Sequence, residues 1–522
     1  MRLKKSALSN EMQQSKYLTL ILILSSLSYG FSFYHLNSYI GAVLGCLAAL
    51  GFVFAAQRKA VSLYLWFLVG LLSYLIAFPW YPQVIRSFFP STSLALSFFY
   101  TLILALSGGF QFLLFALISK GTRNVLPVSL EAVAIGLAWV SCEILMPTMT
   151  PWVLGGTQLH FSLLSQTADV GGVHGVSFLV IFLSALLCGI FKQNKKSLQA
   201  FLFLSTLFIC GFYSFFRTSQ ISDAIASGTQ IGISMVQAGI ELDDPDRKNA
   251  LSRMGRYQEL TRGVSTKESS LVVWPESSVG YKYGVEIERI EKDMLHPMPD
   301  MELPLIFGGR SEGMGGEQFN SAILLTPDGN INKRYHKQKL VPFAEYLPEI
   351  FSSVGLSGLV PARTDLLAAS NQVPITVELS SGALSVLTMI CYEELWPRLV
   401  RQMLSRSQAD VLLSISNDNW FGTSSALMQH HTLASWRAIE FRKFLMRGTT
   451  TGVTAVVDPL GKTVSQLESH TQGVLQADIV PFEGQTTFAR FGEQLLFIMA
   501  CCGAVLAVFL SLQHYSERCL KG

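Results

Sequence analysis

Charge is what this 522-residue chain lacks: only 14% of its positions are Asp, Glu, Lys or Arg, against about 25% in soluble globular proteins. The shortage is local. No Asp, Glu, Lys or Arg occurs from Tyr17 to Ala56 or from Ser87 to Ser119, and about 20 apolar residues of helix span a bilayer. The net charge of +3 is too small to suggest a nucleic-acid binder. Half of the chain is hydrophobic, which excludes disordered, collagen-like and disulfide-rich secreted classes. Metal-ligand spacing is also missing, because the adjacent pair His430-His431 points in different directions from a helix. Gly308-Gly309 and Gly313–Gly316 form a glycine-rich stretch without the Gly-Lys-Ser/Thr of a phosphate loop and read as a flexible loop. No cofactor is implied.

What is present is a series of long apolar runs. Seven precede residue 220: Tyr17–Phe33, Tyr39–Ala56, Val61–Trp80, Leu94–Ile118, Pro127–Met146, Val176–Phe191 and Ala200–Phe216. An eighth, Gln494–Leu512, lies near the C-terminus. Backbone facing lipid must satisfy its own hydrogen bonds, so each run reads as a membrane-spanning helix. The fifth carries Glu131 and Glu143, which read as acidic residues near the two ends of a short span. The first follows Arg2, Lys4, Lys5 and Lys16, but is too long for a signal-peptide core and is followed at once by another span. It is expected to be retained.

Positive charge orients the spans. With the N-terminus inside, the cytoplasmic segments hold Arg2, Lys4, Lys5, Lys16, Arg58, Lys59, Lys120, Arg123, Lys192, Lys195, Lys196, Arg518 and Lys521, while the opposite short loops hold only Arg86. Seven spans then leave the long segment from about Arg217 to Arg490 outside the cytoplasm. The expected organisation is a membrane domain with seven spans over 1–217, a catalytic domain over 228–485, and a final span with a cytoplasmic tail over 490–522. The long segment alternates short β-branched runs (Gln230–Val236, Ser270–Val273, Pro304–Phe307, Ser321–Leu325, Ala383–Ile390, Asp410–Ser416 and Gly452–Val457) with helix-like spacing over Asp246–Val264 and Leu427–Arg447. That alternation predicts an α/β domain.

Of eight cysteines, only Cys391 falls in the extracytoplasmic segment, so that domain forms no internal disulfide. A lone thiol in an oxidising compartment is either shielded or used. The run Ala383–Ile390 reads as a buried strand, and Cys391-Tyr392-Glu393-Glu394 follows as the start of a helix. A thiol at such a turn lies near backbone N–H groups and the positive end of a helix, which favours thiolate. Two other strand ends carry partners: Leu271-Val-Val-Trp-Pro275 delivers Glu276, able to act as a general base. Arg334-Tyr-His-Lys337 offers an ammonium able to hold an oxyanion.

The order Trp-Pro-Glu276, then Tyr335-His-Lys337 with Leu340-Val-Pro-Phe-Ala-Glu345, then Cys391-Tyr-Glu after a strand resembles the nitrilase (carbon–nitrogen hydrolase) superfamily. The resemblance extends to Asn417-Asp-Asn-Trp-Phe-Gly422, Gln429-His-His431, Arg437-Ala-Ile-Glu440 and Thr451-Gly-Val-Thr-Ala455. In the apolar half it includes Ala168-Asp-Val-Gly-Gly172 and Gly175-Val-Ser-Phe178. It departs at Ala344, where the family has Gly, and in Ala238–Met254, which lacks the family's tryptophan. The resemblance implies an α-β-β-α sandwich with a Glu–Lys–Cys triad of Glu276, Lys337 and Cys391. Glu345 would be the supporting carboxylate, and Tyr392 and Glu393 would shape the pocket beside the thiol.

Seven spans, a nitrilase-like domain and one closing span resemble a membrane-bound, lipoprotein-acylating branch of that superfamily. The implied reaction moves an acyl chain from a phospholipid to Cys391 as a thioester, then to the N-terminal amine of a diacylglyceryl-cysteine apolipoprotein. The implied location is the bacterial inner membrane, with the catalytic domain on the periplasmic side. The apolar loop Phe78–Ile85 with Phe88-Phe-Pro90 is a candidate lipid entry or an interfacial aromatic belt. Two rivals remain: a membrane-anchored amidase or nitrilase acting on a small amide or nitrile, and a transporter or receptor with an inactive soluble domain.

Overall fold

A computed structural model describes the chain except for residues 1, 59–60, 123–125, 127, 192–195, 248, 281, 285–301, 350–352, 354–365, 495–497 and 499–522. It divides into two compact units, residues 1–83, 92–219 and 491–522 in one and 84–91 with 220–490 in the other.

The first unit is helical. Among the described residues, five helices are long and apolar enough to cross a bilayer: Gln13–Tyr34, Tyr39–Ala56, Leu94–Gly121, Ala168–Ile190 and Lys196–Ser227. The third expected span is a broken pair instead, Leu63–Ala77 and Tyr81–Phe88 bent by 62°, since Pro79 and its neighbours interrupt the ladder. The fifth coincides with the helix Val128–Leu145. The eighth, Gln494–Leu512, lies almost wholly outside the described residues.

The sixth begins earlier than its apolar run because Asp169 in its first turn is neutralised, accepting from Arg217 Nε at 2.9 Å and Tyr213 Oη at 2.7 Å. Gly172 takes φ 65° at a kink inside this helix. Glu143 is equally well satisfied. It accepts from Trp139 Nε1 and the Leu154 amide at 2.7 Å and from Ser177 Oγ at 3.1 Å, with His174 Nδ1 at 3.1 Å.

Close helix contact uses small residues. A Cβ on Gly70 would lie 2.3 Å from the Gly108 carbonyl oxygen, and Ser26 meets Ser73 at 2.9 Å. Along Lys196–Ser227, Phe201, Leu204, Phe208, Ile209, Phe212, Phe215 and Phe216 are exposed. An apolar surface that large is suited to lipid, not to water.

The second unit is built on two sheets. Its strands are β1 (Ile231–Gln237), β2 (Leu271–Val273), β3 (Lys282–Gly284), β4 (Leu305–Glu312), β5 (Gln318–Leu325), β6 (Ile331–His336), β7 (Ile375–Leu379), β8 (Gly382–Ile390), β9 (Val411–Ser416), β10 (Leu445–Thr449), β11 (Ala455–Val457), β12 (Thr463–Gln466) and β13 (Gly473–Ile479). One sheet runs β13-β1-β2-β4-β5-β6 with β3 on β4, and the other β12-β11-β10-β9-β8-β7.

Alternation along the strands assigns the layers. Ile233, Met235, Val273, Ile306 and Leu324 share a core with Val386, Met389, Leu412 and Met446 of the facing sheet, and with Val400 and Ala434 of the helices Pro397–Arg406 and Ala426–Phe441. Their neighbours Val236, Val272, Leu305 and Phe307 turn the other way, onto Met254 and Tyr257 of the helix Ala250–Thr261. The result is a helix–sheet–sheet–helix stack.

Two expectations about this unit need correction. The helical reading of Leu427–Arg447 overran: the helix stops at Arg442, which takes φ 48°, ψ 55°, and Leu445–Thr449 is a central strand between β9 and β11. Arg447 hid that strand because a guanidinium in the middle of a buried strand reads as a break. The glycine-rich stretch is not one loop either. Gly308 and Gly309 lie within β4, and only Gly313–Gly316 forms the turn to β5.

Candidate active site

The candidate residues converge at the ends of strands. Glu276 follows β2, Lys337 follows β6 and Cys391 follows β8. Gly308 of β4 lets the Glu276 backbone come close, for a Cβ there would sit 2.5 Å from Glu276 Cα and from the Pro275 oxygen. Cys391 takes φ 53°, a sparsely populated backbone region for a non-glycine residue and one that clusters at functional sites.

Cys391 does not open a helix, contrary to expectation. It heads a 3-10 turn, Cys391–Leu395, and the α-helix starts at Pro397, where proline suits the first turn. The expected thiolate-favouring surroundings are likewise overturned: burial, then the Glu276 charge, push the Cys391 thiol well up, with Lys337 pulling the other way. At rest the sulfur keeps its proton and needs a base to lose it.

Glu276 is held by two donors. Its Oε1 accepts from Asn320 Nδ2 at 2.6 Å and its Oε2 from the Asn417 amide at 2.8 Å. Lys337 Nζ stands 3.7 Å from Glu276 and 2.9 Å from Glu345. Burial raises the Glu276 carboxyl above its ordinary value; Lys337 opposes the rise and Glu345 adds to it. Lys337 goes up despite its burial, because Glu345 and Glu276 stabilise the ammonium. Glu345 also accepts from the Val341 amide at 2.7 Å, so it both neutralises the lysine and fixes its own loop. The left-handed residue of that loop is Phe343, φ 67°; Ala344 makes no such demand, so alanine replaces the family's glycine there without backbone strain.

Asn320 is a residue that sequence reasoning missed. Its one amide group donates to Glu276 and, at 3.0 Å, to Glu345. The strand period could have flagged it: Asn320 lies two residues before Ala322 on one face of β5, a polar side chain on an otherwise buried row.

Tyr392 packs edge-on against Trp396, ring centroids 5.5 Å apart. The carboxylate of Glu393, expected to face the pocket, serves the backbone instead. It accepts from the Ile390 amide at 2.7 Å, the Gln338 amide at 2.6 Å, the Lys339 amide at 3.0 Å and Tyr335 Oη at 2.8 Å. Phe88 stacks on Trp420 with centroids 4.3 Å apart, which places that part of the aromatic 78–90 stretch against the Asn417–Gly422 turn.

Behind the turn lies a buried ionic cluster that also escaped notice. Arg447 Nη2 is 2.9 Å from Asp418 and 3.0 Å from Glu394, while His430 is 2.9 Å from Glu394 and 3.3 Å from Asp418. Against burial, the arginine draws Glu394 down to about 2, and the two carboxylates hold His430 up at about 9. Among the described residues no group of three metal-ligating side chains could hold an ion.

A half-buried cysteine, a carboxylate held by an amide and a backbone N–H, and a lysine between two carboxylates, on a helix–sheet–sheet–helix stack, fit the class of carbon–nitrogen hydrolases. Residues 233–487 match that family, and residues 25–186 match the apolipoprotein N-acyltransferase N-terminal domain. The two matches in tandem make the chain similar to the apolipoprotein N-acyltransferases. The apolipoprotein N-acyltransferase of Haemophilus ducreyi is 29% identical over 380 residues, 70% of this chain and 72% of that protein. That of Pseudomonas syringae pv. tomato is 28% identical over 392 residues, 72% and 74% of the two chains. A solved structure of a Saccharomyces cerevisiae member of branch 10 of the nitrilase superfamily covers 48% of this chain and 90% of its own, with 18% identity and a TM-score of 0.36.

Proposed function

We propose that this chain transfers an acyl chain from a phospholipid to the N-terminal amine of a diacylglyceryl-cysteine apolipoprotein, through a thioester on Cys391. The observation that supports the reading is that one chain joins helices apolar enough to cross a bilayer with a site in which the Cys391 thiol feels the opposite charges of Glu276 and Lys337. Glu276 takes the thiol proton, and the sulfur attacks the ester carbonyl. The Lys337 ammonium balances the tetrahedral oxyanion, and the proton on Glu276 leaves with the lysophospholipid alkoxide. In the second half the amine attacks the thioester, Glu276 takes its proton, and the thiol is restored as the amide forms. Splitting one acyl exchange into two easier steps is the gain of covalent catalysis.

Both substrates carry fatty chains, and moving one into water costs about 0.8 kcal/mol per CH₂, which is why such a site belongs at a bilayer. We place the α/β unit on the periplasmic side of the inner membrane, on the strength of the lysine and arginine pattern of the loops. The test is intact mass spectrometry of the purified full-length protein mixed with a defined phospholipid. The expected result is one acyl group added to the peptide containing Cys391 and removed on addition of a diacylglyceryl lipopeptide. No acyl mass on Cys391, or ammonia release from small amides with no lipopeptide acylation, overturns the reading.

A further inference from the structure

Ser416 ends β9 beside the sulfur. β8 and β9 are parallel, with Ile390 opposite Ile415, so the next residue on each strand, Cys391 and Ser416, stand side by side. The Ser416 hydroxyl lies where it favours the thiolate, pulling the Cys391 thiol down against its burial. A hydroxyl has a single proton to donate, and here it goes to Asp418 Oδ1 at 2.6 Å. In the resting site that proton therefore points to Asp418, and the serine oxygen stands beside the Cys391 sulfur. Asp418 does not depend on Ser416 for the balance of its charge, because Arg447 lies 2.9 Å away and His430 3.3 Å away. The serine proton can leave Asp418 without stranding a buried carboxylate.

We propose that Ser416 is a further catalytic residue, a hydroxyl that turns from Asp418 to the Cys391 sulfur as the thiol proton passes to Glu276. The inference rests on the reading of Cys391 as the nucleophile. In this step the S–H bond breaks and its proton completes a carboxylic acid on Glu276. Ser416 exchanges an O–H···O contact with Asp418 for an O–H···S contact with the thiolate, and no bond to its own oxygen is made or broken. The same donor receives the sulfur when it departs from the thioester in the second half-reaction. The charged groups facing Cys391 are Glu276 from the loop after β2, Lys337 from the end of β6 and Asp418 after β9. Two of these are anionic, so a second donor beside Lys337 has a clear task.

The experiment is alkylation of Cys391 by iodoacetamide across a pH series, on the full-length protein in detergent, followed peptide by peptide in a mass spectrometer. A hydrogen bond to a charged group favours that form, so Ser416→Ala should slow alkylation at neutral pH at least ~10-fold and move its half-point upward by about one pH unit. Ser416→Thr, which keeps the hydroxyl, should recover most of the rate. An alanine variant that follows the wild-type curve overturns the proposal. If the alanine variant does not fold, the isosteric pair Ser416→Thr and Ser416→Val isolates the hydroxyl: a slower valine variant supports the proposal, and superimposed curves overturn it. Acyl mass on wild-type Cys391 with alkylation indifferent to Ser416 removes this inference alone. A Ser416-dependent alkylation curve without acyl mass removes the acyl-transfer reading alone.

Discussion

Lys337 is bound to Glu345 through both carboxylate oxygens, at 3.0 Å and 2.9 Å. The lysine is therefore tied to Glu345 through two contacts, while Glu276 stands farther off, at 3.7 Å. Lys337→Met would leave buried Glu276 and half-buried Glu345 with no cation between them. Breaking a buried pair costs about 3–5 kcal/mol, so the variant should melt at a lower temperature, read by tryptophan fluorescence. It should also form no thioester in the mass assay.

Asn320 should set the acid limb of the proposed reaction. Its amide favours the ionised form of Glu276, the form that accepts the thiol proton in the proposed mechanism. Asn320→Leu removes the donor, raises the Glu276 carboxyl further and should move the acid limb of the acylation rate to higher pH. At neutral pH the loss should be on the order of 10-fold, from the worth of a hydrogen bond to a charged group. A pH–rate profile of acyl uptake by Cys391 checks this; a merely structural role for Asn320 would lower the whole curve without shifting it.

The ionic cluster makes stability depend on pH on the alkaline side. His430 titrates at about 9 in the folded chain, against about 6.5 unfolded. Its contribution is fully present below pH 6.5 and is lost as the pH rises through about 9. The melting temperature should fall over that interval, and His430→Gln should flatten the fall. Arg447→Met should destabilise at every pH, since it leaves Glu394 and Asp418 buried beside each other with only the histidine between them.

The side of the membrane can be read directly. Met314 in the turn between β4 and β5 is 84% exposed, so Met314→Cys presents a free thiol without touching the site. A membrane-impermeant maleimide should label it in intact cells whose outer membrane has been permeabilised. Labelling only after the inner membrane is lysed would put the α/β unit in the cytoplasm.

Much of this was legible in the chain because strongly apolar or strictly ordered patterns carry it. The runs at Tyr39–Ala56 and Leu94–Ile118 recur as helices within a few residues, since lipid permits few other backbone forms. Glu276, Lys337 and Cys391 each follow a short β-branched or aromatic strand, and the structure brings the three together. What escaped was fixed by tertiary pairing. Asn320 and the Arg447 cluster are polar groups buried among partners distant in sequence, and no local period announces a charge that will be neutralised elsewhere. The thiol's surroundings were misjudged for a related reason: the turn at Cys391 was visible, but the Glu276 charge that would come to lie near it was not.

The staple at Glu393 has a mechanical consequence. One carboxylate grips the amide just before Cys391 and the two just after Lys337, so the proposed nucleophile and oxyanion cation are held together when a bulky chain arrives. Substrate-driven rearrangement must then be confined to the rim, and exchanging rim segments between relatives should alter which fatty chain is accepted while leaving the reacting atoms in register.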